Sequence, residues 1–359
     1  MWLFGKYKDL TILYLPVWLV WIVLFFLSDS VLQSEVPLWV WVVFILGIDV
    51  SHVWSTIFRT YLDKEEFKNH RLVLLLAPLV SFILLFGIAR ESTLLFWQLL
   101  AYLAVFHFMK QQYGFFAIYS AKAKLKRAHR YFKDKWVLYF SMLYPVVFWH
   151  LSNRNFVWFV DGDFISFPLQ LDHWVRIALE LIYWLSISGW LIEEVLLVKK
   201  GNNLSYGRIL WMLSTLLNWY LGIVWFNSDL AFTLTNVVAH GVPYMALIIF
   251  YQVRKKKISS VFSKNRIYVL AFSIIIFSML LAFGEEYLWD IFINREKEFF
   301  FSSIIHYPFD TIRLSSWQPL LLALLSLPQV THYIIDGFIW KMNETNPHLK
   351  TVLISKENG

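Results

Sequence analysis

Four histidines lie inside apolar runs of the chain: His52, His107, His240 and His332. Each has polar company at helical spacing. Asp49 precedes His52 by three, and Lys110 and Gln111 follow His107 by three and four. Asn236 precedes His240 by four, and Asp336 follows His332 by four. Residues three or four apart share one face of a helix. Metal-bound histidines usually give their second ring N–H to a carboxylate, an amide or a backbone oxygen. Asp49 and Asp336 would therefore ligate an ion directly or orient a ligating ring. Imidazole and carboxylate without sulfur suit iron, zinc or manganese rather than Cu(I). The chain has no cysteine, which excludes thiolate nucleophiles, Fe–S clusters and disulfides. Lys110, Gln111 and Asn236 are the candidate catalytic groups beside these ligands.

Plainer readings compete with this one. A single histidine within a helix bundle is commonly a hydrogen bond between helices. Asp and His inside spans also serve proton relays in transporters. Four histidines at compatible depth, two of them with acidic neighbours, favour a functional site, because ionisable groups inside a membrane are costly. Arg59, seven residues past His52, and Lys110 would together hold an anionic group such as a lipid phosphate or an acyl carboxylate. For Arg59, snorkelling toward the interface is the plainer reading. His70, His129, His173, His306 and His348 fall in loops or the tail and read as surface residues. His150 ends a span.

The elements that must position these residues follow from composition. The chain is 58% hydrophobic and 16% charged, where a soluble domain has about 25% charged residues. The apolar residues fall in runs of about twenty, enough to cross a hydrocarbon core of about 30 Å. The fold expected is all-α, a polytopic bundle forming a single membrane domain. About ten spans are expected, at 10–28, 37–58, 72–90, 94–119, 136–151, 174–198, 209–226, 230–252, 267–283 and 317–340. With the N-terminus inside, 25 of the 32 basic residues fall in inner segments and six in outer ones. That asymmetry places both termini in the cytoplasm. The net charge of +7 is then a topology signal with attraction to anionic membrane lipids, not a nucleic-acid footprint. The four histidines fall in the second, fourth, eighth and tenth spans, all running inward. Gly241, Pro243 and Pro328 would loosen the helices beside His240 and His332 and release backbone carbonyls that the bundle must satisfy. No P-loop, GxSxG, HExxH or dinucleotide fingerprint is present.

The HxxxH and HxxHH boxes of desaturases and membrane hydroxylases are absent. The segments Gly47 to His52 (GIDVSH) and Phe106 to Phe108 (FHF), with His240 and His332, resemble bacterial carotene-cleaving dioxygenases of the Brp/Blh type. In that family separate spans each offer a histidine to one iron. The resemblance covers a few short segments. It implies an iron cofactor, a lipophilic substrate and oxygen chemistry, with electrons supplied by a partner where the reaction needs them. The location expected is the inner (cytoplasmic) membrane of a bacterium. Two alternatives stay open. One is a ten-span transporter using an intramembrane Asp/His relay. The other is an enzyme like the membrane-bound O-acyltransferases, to which the AHGVPY segment is similar, with His240 as general base.

Overall fold

The computed structural model describes residues 1–34, 36–123, 133–151, 157–165, 173–259, 263–305 and 315–354. The described residues contain helices and no strand. The long helices are α1 (Lys6–Phe26), α2 (Leu38–Arg59), α3 (Lys64–Glu91) and α4 (Thr93–Ala123). Then come α5 (Asp134–Leu151), α6 (His173–Lys199), α7 (Tyr206–Trp219), α8 (Asp229–Ser259) and α9 (Lys264–Trp289). The last two are α10 (Gln318–Ile339), which breaks at Ser326, and a short α11 (Pro347–Ile354). Eight segments are long and apolar enough to cross a membrane, which fits an integral membrane protein. α5 and α7, the fifth and seventh expected spans, are not among those eight.

The chain divides into two compact units. The first comprises Met1–Pro37, Ala104–Pro243 and Leu353–Gly359. Here α5 packs on α6 and α7. Three side chains of α1 at helical spacing fasten it to α7. Tyr14 donates to the Gly207 carbonyl at 2.8 Å, Trp18 to Ser214 at 3.1 Å and Trp21 to Asn218 at 3.3 Å. Positions i, i+4 and i+7 lie on one face, so one stripe makes all three bonds. A Cβ on Gly207 would stand 2.5 Å from the Tyr119 ring, so only glycine admits this approach. Asp9 is buried and accepts from the Leu3 and Phe4 backbone and from Tyr119. In the same unit, buried Arg208 pairs with Glu194 and with Asp134. Glu180, on α6, accepts from Tyr220.

The second unit comprises Leu38–Leu103 and Tyr244–Val352. Here α2 packs on α9, and α3 packs on α10. Arg59 is fully buried. It pairs with Glu66, donates to the Ile339 carbonyl and to Asn346, and lies 3.9 Å from the Tyr251 ring centre. Snorkelling and anion capture, the two roles expected of Arg59, give way to an internal ion pair. Asn346 Oδ1 also accepts from His70 Nε2 at 2.9 Å. His70 is therefore buried rather than on the surface, because the helix departs from α geometry at that residue and turns its ring inward.

The expected effect of proline on nearby carbonyls is visible in both units. Pro78 has no N–H for the Leu74 carbonyl, four residues back. Tyr61 donates to it instead, at 2.8 Å. Pro243 leaves the Ala239 carbonyl in the same state, and Gln112 donates there at 3.1 Å. A buried carbonyl without a partner is costly, so these two polar side chains are where the sequence needs them.

Candidate metal centre

α4 and α8 carry the first pair of histidines. The His107 and His240 rings have centroids 5.0 Å apart and meet nearly edge to face, at 82°. Both are buried. Phe108 stacks on His240 at 3.9 Å and 25°, and Trp158 lies against Phe108 at 5.4 Å. Gln111 donates to the His240 backbone carbonyl at 2.8 Å. It fixes the helix that carries the ring rather than the ring itself.

α2 and α10 carry the second pair. The His52 and His332 centroids are 5.1 Å apart, again nearly perpendicular, at 77°. Tyr244 packs its edge against both, at 5.7 Å from His52 and 5.0 Å from His332. The Thr56 hydroxyl lies 2.7 Å from His332 Nδ1 and 2.9 Å from the Tyr244 hydroxyl. Tyr244 in turn donates to Asp336 Oδ1 at 2.6 Å. Asp336 Oδ1 itself stands 3.7 Å from His332 Nδ1, and Asp49 Oδ1 stands 3.6 Å from His52 Nδ1. Both carboxylates neighbour their histidine as the spacing implies. Neither reaches hydrogen-bond distance of it in these contacts.

The local structure of α2 explains how Asp49, His52 and Thr56 are presented. Residues Trp41–Val50 form wide π turns, and Thr56–Arg59 a tight 3₁₀ turn. Ser51 donates back to the Leu46 carbonyl at 2.8 Å, five residues earlier, which suits the wide winding. π turns within helices occur frequently at functional sites.

All four histidines are buried, His107 and His240 in the first unit and His52 and His332 in the second. Two nitrogens on opposite sides of one ion would stand about 4.2 Å apart, twice a 2.0–2.1 Å bond. The donor set that each pair offers has no thiolate.

The candidate catalytic groups fall differently. Gln111 is buried on the first pair, as described. Asn236 accepts from Asn218 at 3.1 Å and donates to the Phe232 carbonyl at 3.2 Å, so its amide is spent on helix contacts. Lys110 is exposed, with its ammonium 6.0 Å from the Phe106 ring centre. Thr56 and Tyr244 were not singled out by sequence reasoning. The available signal was position: each is four residues from a candidate histidine, Thr56 after His52 and Tyr244 after His240. His129 and His306 lie outside the described residues. Comparison with family models, curated proteins and solved structures finds no match for the chain.

Proposed function

We propose that His52, His107, His240 and His332 bind one transition-metal ion, and that the protein is a membrane-embedded metalloenzyme acting on a lipophilic substrate. An iron-dependent oxygenase or hydroxylase is the favoured reaction class, with zinc or manganese as alternative ions. The observation that carries the reading is the pairing of buried histidines within each unit, with ring centroids 5.0 Å apart for His107 and His240 and 5.1 Å for His52 and His332. Within the second unit, Tyr244 touches both rings of the second pair. Asp49 and Asp336 adjust the surroundings of the rings beside them. A bound ion would activate oxygen or polarise a water. The apolar helices suit a substrate reaching the site from the bilayer, and an oxygenase of this kind draws electrons from a partner protein where its chemistry requires them.

The same reading places ten spans in the membrane, with α5 and α7 added to the eight apolar segments, and both termini in the cytoplasm. It is supported by the excess of basic residues in alternate connections. Metal analysis of the purified protein tests the central claim. About one iron, zinc or manganese per chain is expected in the wild type and little in His332→Ala. No stoichiometric metal in the wild type ends the reading.

A second reading draws on the two carboxylate–imidazole pairs, Asp49 with His52 and His332 with Asp336. Such pairs also suit a transporter with a proton relay. Uptake by proteoliposomes under a pH gradient, abolished in Asp336→Asn while metal is absent, would select it.

A further inference from the structure

The contacts around His332 have a direction. Tyr244 has one hydroxyl proton, and it goes to Asp336. Thr56 also has one proton and lies between Tyr244 and His332. Tyr244 has no proton left for Thr56, so Thr56 must be the donor in that contact. Thr56 then has only lone pairs to offer His332, and His332 Nδ1 must be the donor toward it. The order is therefore Nδ1–H of His332 to Thr56 Oγ1, Thr56 O–H to Tyr244 Oη, and Tyr244 O–H to Asp336 Oδ1. The chain ends on a carboxylate, which only accepts when ionised. All four residues are buried or nearly so; Asp336 has 10% of its side-chain surface exposed.

We propose that Thr56 and Tyr244 are positioning residues that carry the influence of Asp336 to His332, fix its Nδ1–H tautomer and assign Nε2 as its ligand atom. The proposal rests on the four-histidine metal reading and adds how one ligand is tuned. A ring that donates its second N–H toward a carboxylate is held in orientation and made a stronger base toward an ion. Here two hydroxyls stand between ring and carboxylate, so Asp336 acts without touching the ring. Asp336 Oδ1 accepts from Tyr244 at 2.6 Å, which ties this carboxylate to the hydroxyl chain.

Co(II) is the probe, because its visible ligand-field bands respond to donor strength and geometry. The full chain, purified in detergent and stripped of metal, is titrated with Co(II) as wild type, Thr56→Ser and Thr56→Val. Thermal unfolding of each metal-free protein verifies that the fold is retained. Thr56→Ser keeps the hydroxyl, and its affinity is expected within about threefold of wild type with the same bands. Thr56→Val matches threonine in shape but breaks the chain; its affinity is expected to fall about 10–100-fold with shifted bands. If Thr56→Val is misfolded, Tyr244→Phe is read in its place, with the same expectation. Wild-type binding with unchanged affinity and bands in the variant overturns this proposal and leaves the metal reading standing. A wild type that takes up no stoichiometric Co(II), iron, zinc or manganese overturns the metal reading itself.

Discussion

His107 and His240 stand 5.0 Å apart among aromatic rings, with Phe108 stacked on one of them. His52 and His332 stand 5.1 Å apart beside Thr56, Tyr244, Asp49 and Asp336. The spacing and the perpendicular ring geometry are the same, and the surroundings are opposite. Packing holds a stacked ring in place but does little to choose which nitrogen carries the proton. A hydrogen-bond chain does both. Under the proposed metal reading, the first pair serves placement and the second controls donor strength.

The largest expected effect removes a ligand from either pair. His107→Ala and His332→Ala should each abolish stoichiometric metal, read by elemental analysis. Loss in only one of the two would mean that the pairs do not share an ion. Next comes the frame of the polar pair. Arg59 lies seven residues beyond His52, and Arg59→Met leaves Glu66 without its main counter-charge. Removing one partner of a buried ion pair typically costs about 3–5 kcal/mol. Tyr251 and Lys255 remain on Glu66, so the low end, about 3 kcal/mol, is expected in denaturant unfolding. The contrast between the pairs is sharpest in a smaller effect. Tyr244→Phe should weaken metal binding about tenfold, whereas Phe108→Leu, which keeps an apolar cover, should change it less than threefold. Equal losses in the two variants would erase the distinction.

The smallest effect concerns Asp63, in the connection before α3. It accepts from the Glu65 and Glu66 backbone and from Lys255. Burial alone would raise its pKa, but Lys255 and the Glu66 N–H outweigh burial and hold it below the usual 3.8. A depressed carboxyl stabilises the fold above its ordinary pKa and loses that contribution as the pH falls through the folded value. Asp63→Asn should therefore lower stability at pH 7 by no more than about 1 kcal/mol, because the pair is partly exposed. The difference from wild type should vanish well below pH 3.8. A constant difference across that range would contradict it.

The candidate site residues were conspicuous in the sequence because ionisable groups stand out in apolar runs. His52, His107, His240 and His332 stood out against apolar runs, and Pro243 announced carbonyls in need of donors. Gln111 was placed beside His107 by spacing, but its bond runs to the His240 backbone, which lies 129 positions further on. Spacing on one helix reports a shared face and not the atom reached across to another. For that reason Asp336 looked like the partner of His332 while Thr56 holds that place. Hydroxyls are ordinary in apolar helices, so Thr56 and Tyr244 gave no compositional signal. Lys110 looked like a site residue by its depth, but its side chain is exposed. His70 looked external because its neighbours are polar, and a local departure from helix geometry buries it.

The bonds of Arg59 also impose an order on synthesis. Its carboxylate partner emerges from the ribosome only seven residues later, within the next turn or two of chain. Its other acceptors, the Ile339 carbonyl and the Asn346 amide, are separated from it by 280 and 287 positions. The ion pair of the guanidinium is thus local in sequence, while its two other acceptors lie near the far end of the chain. A chain interrupted before Ile339 lacks both of these acceptors, and its Arg59 Nη2 has neither partner.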